Sequence, residues 1–196
     1  MIAPNNKNIR FKIKRQDGPG KASYWEVFEM PYKPALNVIS CLQWIAANPT
    51  TVEGRASSPV VWDCNCLEEV CGACTMVING RVRQSCSALV DELLKSSETG
   101  EIVLEPMTKF PVVRDLMVDR SRMFNDLIRV KGWVPIDGTH NLGMGPRESQ
   151  EEQDVRYNLS RCMTCGCCLE ACPQYTIDNS FIGPQVISQV RYFNMH

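Results

Sequence analysis

Histidine is nearly absent from this 196-residue chain: only His140 and His196 occur. A Rieske-type centre, which needs two histidines on one iron, is therefore excluded near the chain's cysteine groups. Charge of one sign is also missing, because 21 basic residues are balanced by 22 acidic ones for a net charge of -1. No nucleic-acid footprint follows from that balance. Long apolar runs are lacking too. The most apolar helical stretch, residues 36–47, is too short to cross a bilayer. The first eight residues are polar rather than a charged-then-apolar leader, so the chain is expected in the cytoplasm unless a partner holds it at a membrane.

What is present is cysteine, eleven in all, mostly in two tight groups. An odd count in a chain with no secretory leader favours metal or cluster ligation over a disulfide framework. Cys66, Cys71, Cys74 and Cys86 are spaced C-x4-C-x2-C-x11-C. Their first three spacings match the plant-type [2Fe–2S] pattern. Gly72 and Ala73 leave room for backbone to approach sulfide and for amides to donate to it. A zinc site commonly uses two C-x2-C pairs, and only one is present here, so a zinc-binding interaction module is the weaker alternative.

In the second group, Cys162, Cys165, Cys168 and Cys172 form C-x2-C-x2-C-x3-C, closed by Pro173. This is the bacterial ferredoxin run. Three thiolates two residues apart curl around one cubane, and the extra residue turns the fourth towards a different cluster. Of the remaining thiols, Cys41 reads as a small buried hydrophobe in a helix and Cys167 as a packed thiol. Cys64 is either a neighbour of the ligands or structural. Asp63, Glu68 and Glu69 place carboxylates around the first loop, which should lower a cluster's potential.

Hydrophobic periodicity supplies the frame. Residues 8–15 and 24–30 alternate as strands joined by Asp17-Gly18-Pro19-Gly20, and Val38, Leu42, Ile45 and Ala46 recur at helical spacing. Further strands are expected at 60–62, 75–78, 81–85 and 102–104, with Asn79-Gly80 as a two-residue hairpin turn. After Pro106 and Pro111 the pattern becomes helical, at 117–130, 155–160, 164–171 and 184–196, with a loop over 135–153. The fold class is thus α+β: a β-grasp-like domain over 1–105 and an all-α domain over 106–196.

The order of the two signatures resembles one family, the iron–sulfur subunits of succinate dehydrogenase and fumarate reductase. Pro-Val-Val-Trp-Asp before the first loop, Cys-Gly-Ala-Cys-Thr-Met-Val-Ile-Asn-Gly within it, Phe-Pro-Val-Val-Arg-Asp-Leu-Met-Val-Asp from Phe110 and Phe-Ile-Gly-Pro from Phe181 agree with it. The wording Asp-Cys-Asn-Cys-Leu-Glu-Glu-Val-Cys is most similar to forms from Gram-positive, menaquinone-using bacteria.

The resemblance implies an N-terminal ferredoxin-like β-grasp domain and a C-terminal bacterial-ferredoxin-like helical domain. It implies [2Fe–2S] on Cys66, Cys71, Cys74 and Cys86, three ligands of [4Fe–4S] from Cys162, Cys165 and Cys168, and one of [3Fe–4S] from Cys172. It further implies electron transfer from FAD in a flavoprotein subunit to menaquinone at a membrane-anchor cytochrome b subunit, on the cytoplasmic face of the membrane, within the tricarboxylic acid cycle and respiratory chain. Fumarate reductase, running in reverse, is the alternative. No catalytic residue is expected on this chain. Because the family continues with a second cysteine set, the sequence is expected to be C-terminally truncated, with the two cubane-type ligand sets incomplete.

Overall fold

A computed structural model describes residues 8–134 and 147–195. It divides into two compact units, Met1–Asp119 and Arg120–His196. In the first, alternation in β1 (Asn8–Arg15) and β2 (Tyr24–Pro31) produces an antiparallel pair with Phe11 opposite Phe28. Helix α1 (Val38–Ala47) follows, capped by the Asn37 side chain, which accepts from the Ser40 N–H at 2.8 Å. Then come β3 (Thr75–Ile78), β4 (Arg81–Gln84), α2 (Val90–Lys95) and β5 (Glu101–Glu105). The sheet order is β2-β1-β5-β3-β4, with β1 parallel to β5 and the other pairs antiparallel.

The period of two sends Ile9, Phe11 and Ile13 of β1 into one core with Phe28, Met30, Ile102, Leu104, Met76 and Ile78. Helix α1 closes that core with Val38, Ile39, Leu42 and Ile45. Each such side chain contributes about 1.5–3 kcal/mol by leaving water. Cys41 lies wholly inside, and burial pushes its thiol up to about 12, the behaviour of a packed hydrophobe. Asn79 and Gly80 take φ of 48° and 74°, as a primed hairpin turn requires. The Asn79 side-chain Oδ1 also accepts from the Val103 N–H at 2.8 Å, docking the turn on β5.

The segment after Pro106 behaves differently from its helical reading. The hairpin β6 (Val112–Arg114) and β7 (Met117–Val118) occupies it, turning at Asp115 with φ 48°. Only at Ser121 does helix α3 (Ser121–Arg129) begin. The first unit accordingly runs to Asp119, past the expected division at 105, because Asp115 is tied back to β1. Residues 60–62 are not a strand. They are an extended run held by the same turn, with the Val61 N–H on Asp115 Oδ2 at 2.9 Å and the Leu116 N–H on Val61 O at 3.1 Å.

The described elements of the second unit are all helices: α3, α4 (Gln150–Ser160), α5 (Cys167–Ala171) and α6 (Gly183–Phe193). Helix α4 starts earlier than its apolar pattern suggests, since Ser149 and Glu152 form a reciprocal capping box inside the expected acidic loop. Helix α5 starts later, because Thr164 and Gly166 take φ of 55° and 87°. The remainder of the expected loop, 135–146, lies outside the described residues. Helix α6 packs on α3, α4 and α5. At its first position Gly183 has φ 82°, and a Cβ there would stand 2.1 Å from Leu169 Cδ2, so any side chain would be strained and would have to push Leu169 aside. Among the described residues no helix is long and apolar enough to cross a membrane.

One polar knot organises the first unit. Arg15, fully buried at the end of β1, meets Asp115 through Nε at 2.9 Å and Nη2 at 3.2 Å. Its fork also reaches Glu26, Ser57 Oγ at 3.1 Å and Ser58 O at 3.1 Å. Burial alone would depress the Arg15 pKa, but the Asp115 hydrogen bond and charge, with Glu26, hold it above its ordinary value. Asp115→Ala leaves the buried guanidinium only Glu26 as a counter-charge and takes the acceptor from the Gln16 and Val61 N–H groups, so we expect a loss of about 3–5 kcal/mol in denaturant unfolding. A loss below about 1 kcal/mol, the range of surface pairs, would show that the knot is not structural.

Candidate metal centre

Between residue 61, fixed by Asp115, and β3, the chain makes the first cysteine loop. Leu67, Glu69 and Gly72 take φ of 63°, 59° and 71°. For the two non-glycine residues this costs roughly 1–2 kcal/mol each. Left-handed residues interspersed in a loop turn successive N–H groups inward, forming an anion-binding nest. The recipients here are sulfur atoms. Cys66 Sγ accepts from the N–H groups of Glu68 at 3.5 Å, Val70 at 3.3 Å and Cys71 at 3.3 Å. Cys71 Sγ accepts from Cys66 at 3.5 Å and Ala73 at 3.4 Å.

Ser85 brings the fourth thiol back. Buried beside Cys86, it donates to Cys74 O through Oγ at 2.7 Å and through its N–H at 3.2 Å. Cys86 there feels the neighbouring Cys74 thiol and, more weakly, the Glu69 N–H. The loop thus links the expected ligands in two pairs, Cys66 with Cys71 through N–H to sulfur bonds and Cys74 with Cys86 through Ser85. The N–H groups of Glu68 and Val70 lower Cys66 to about 7. Burial, then the neighbouring Cys74 thiol, raise Cys86 to about 11. Among the described residues no three His, Cys, Asp or Glu side chains converge on a single ion. Cys64 is exposed, as are Asp63, Glu68 and Glu69 around the loop.

The second group surrounds α5. Cys162 and Cys165 precede the helix, Cys168 lies on it and Cys172 caps it. The neighbouring Cys167 thiol and N–H, with the positive charge of Arg120, outweigh burial and lower Cys165 to about 6. Cys168 is raised by burial and by the negative fields of Cys165 and Cys162, so these three sulfurs sense one another. Cys172 stands at the far end of the helix, where its carbonyl accepts from the Tyr175 N–H at 3.3 Å. The sequence reading missed Ser85, the left-handed Leu67 and Glu69, and the contact of Cys167 with Cys165. None carries a motif, because each acts through backbone or through spatial adjacency.

A backbone array aimed at thiolates suits a group that gains negative charge on reduction and rests on sulfur. Comparison with known proteins agrees. The family model described as a 2Fe-2S iron-sulfur cluster binding domain matches residues 10–125. The succinate dehydrogenase iron-sulfur subunit of Bacillus subtilis is 57% identical over 190 residues, covering 97% of this chain and 73% of that protein.

The chain belongs to the succinate dehydrogenase iron–sulfur subunits.

It is thus a subunit of an oxidoreductase, and its first unit is a [2Fe–2S] domain, which sets aside the zinc alternative. Fumarate reductase iron-sulfur subunits are more distant. That of Mycobacterium tuberculosis is 29% identical over 172 residues, covering 87% of this chain and 68% of the relative. That of Wolinella succinogenes is 33% identical over 134 residues, covering 67% and 54%. A chain of the Mycobacterium smegmatis Sdh1 complex in the apo form superposes with TM-score 0.76 at 21% identity, over 98% of this chain and 76% of that one, which shows a shared mixed α/β fold.

In this succinate dehydrogenase subunit the carboxylates of Glu68 and Glu69 flank the strained turn and oppose addition of an electron. Replacing both by Gln should raise the [2Fe–2S] midpoint potential in a redox titration, more at low ionic strength than at high because both are exposed. An unchanged midpoint at low salt would show that their charge is not felt.

Proposed function

We propose that this chain is the electron relay of a succinate:quinone oxidoreductase, between an FAD-containing flavoprotein subunit and menaquinone at a membrane-anchor cytochrome b subunit. The observation that carries the reading is the pair of thiol pairs under a backbone N–H nest, in a chain 57% identical to a succinate dehydrogenase subunit. That identity favours succinate oxidation over fumarate reduction. Cys66 and Cys71 would hold one iron of [2Fe–2S], and Cys74 and Cys86 the other. Cys162, Cys165 and Cys168 would give three ligands to [4Fe–4S], and Cys172 one to [3Fe–4S]. When bound, such clusters accept and release electrons singly, which matches a two-electron flavin to a quinone.

The protein's own contribution is position and electrostatics. The N–H groups of Glu68, Val70, Cys71 and Ala73 neutralise thiolate charge, and Ser85 holds the two sides of the loop at fixed separation. Substrate acid–base chemistry belongs to the flavoprotein. The mixed sheet with α1 on its core face reads as a β-grasp, and the helices after Arg120 as a bacterial-ferredoxin-like domain. With no membrane-crossing helix among the described residues, attachment to the cytoplasmic face would come from the anchor subunit.

Single Ala replacements in the assembled complex test the ligand set. Cys66, Cys71, Cys74 and Cys86 variants should each lose the EPR signal of reduced [2Fe–2S], whereas Cys41→Ala and Cys64→Ala keep it. Retention of the signal in Cys74→Ala and Cys86→Ala would contradict the assignment.

A further inference from the structure

Two hydroxyls stand behind the first cysteine loop, both shielded from water. Thr75 is 2% exposed and Ser85 is fully buried. A buried hydroxyl is unfavourable unless it is hydrogen-bonded. Each of these donates to a main-chain carbonyl that also accepts an N–H. Thr75 Oγ1 reaches Gly72 O at 2.8 Å, beside the Thr75 N–H at 3.3 Å. Ser85 Oγ reaches Cys74 O at 2.7 Å, beside the Ser85 N–H at 3.2 Å. In both cases the hydroxyl makes the shorter bond, and a packed Val or Ala would leave the carbonyl paired. Packing and backbone pairing therefore do not account for the hydroxyls.

The two carbonyls belong to one line of peptide units. A trans peptide is planar, and its C=O and N–H point in opposite directions. The peptide that offers Cys74 O to Ser85 carries the Thr75 N–H at its other side, and that N–H bonds Gly72 O. The peptide that offers Gly72 O carries the Ala73 N–H, which bonds Cys71 Sγ at 3.4 Å. The line thus runs from Ser85 through the Cys74–Thr75 and Gly72–Ala73 peptides to sulfur, and Thr75 Oγ1 joins it at the last peptide. A donor on a carbonyl polarises the amide and strengthens its N–H, by about 10–30% per bond.

We propose that Ser85 and Thr75 are positioning residues for electron transfer: their hydroxyls aim and polarise the Ala73 N–H that stabilises negative charge on Cys71 Sγ. The inference rests on the assignment of Cys71 to [2Fe–2S]. The lining fits that group, with four cysteines in the matched domain and five N–H to sulfur bonds on Cys66 and Cys71. Added negative charge spreads onto ligand sulfur, so a stronger N–H donor there favours the reduced form and raises the potential.

The test is EPR-monitored redox titration of the assembled complex. Thr75→Val removes the hydroxyl with little change of shape and should lower the [2Fe–2S] midpoint, whereas Thr75→Ser, which keeps the hydroxyl, should stay close to wild type. Ser85→Ala should lower the midpoint by less, because its hydroxyl lies one peptide further from Cys71. Ser87→Ala is the control. Ser87 flanks Cys86 as Ser85 does, but its hydroxyl donates to Gln84 O at 3.3 Å, outside the line, so this variant should keep the wild-type midpoint. A wild-type midpoint in both Thr75→Val and Ser85→Ala would overturn the proposal. So would a Thr75→Ser midpoint as low as that of Thr75→Val, or an equal shift in Ser87→Ala. If Thr75→Val or Ser85→Ala takes up no cluster, the other decides against Ser87→Ala, and equal midpoints overturn the proposal. A [2Fe–2S] signal that survives Cys71→Ala would instead overturn the ligand assignment.

Discussion

A guanidinium with no access to water must find its partners inside the protein, and Arg15 finds them on three separate stretches of chain. Asp115 answers it from the β6–β7 turn, Glu26 from β2, and Ser57 and Ser58 from the run that leads to the first cysteine loop. Asp115 in turn accepts from the Gln16 and Val61 N–H groups at 3.1 and 2.9 Å. The point at which the chain enters the loop is thereby fixed to the edge of the core by charge rather than by strand pairing. A buried ion pair is often no more stabilising than a well-packed apolar substitute. Its value here is in register, because one carboxylate sets the position of several otherwise irregular segments.

Beyond that fixed point the loop spends conformational energy to gather N–H groups. Left-handed Leu67 and Glu69 are unfavourable in isolation. They turn amides towards Cys66, where hydrogen bonds to sulfur offset the strain. The contrast between Cys66 at about 7 and Cys86 at about 11 reflects the same division: one thiol sits among donors, the other is buried beside a second thiol. In the second unit α3 plays a comparable part, with Arg120 near Cys165 and Arg122 on the loop after Cys172.

Much of this was legible in the sequence because it is local. Alternation in residues 8–15 gave β1, Asn79-Gly80 gave a turn, cysteine spacing pointed to iron–sulfur clusters, and the resemblance of whole segments pointed to the family. What stayed hidden depends on partners distant in the chain. Nothing near Asp115 indicates that Arg15, a hundred positions earlier, needs its carboxylate, so residues 106–119 read as the start of a helical domain instead of the end of the first unit. Residues 60–62 looked like a strand because their extended shape is real, although their partner is a turn. Helix α4 was read short because capping by Ser149 and Glu152, rather than apolar periodicity, starts it. The left-handed residues in the cluster loop were invisible because two of the three are not glycine.

The central claim is that the first unit closes four thiols around two irons and two sulfides. Iron and acid-labile sulfide analysis of anaerobically prepared protein tests it most directly, together with EPR after dithionite reduction. The account predicts equal iron and sulfide with a reduced [2Fe–2S] signal that Cys86→Ala abolishes. Zinc bound without acid-labile sulfide, and no signal on reduction, would contradict it.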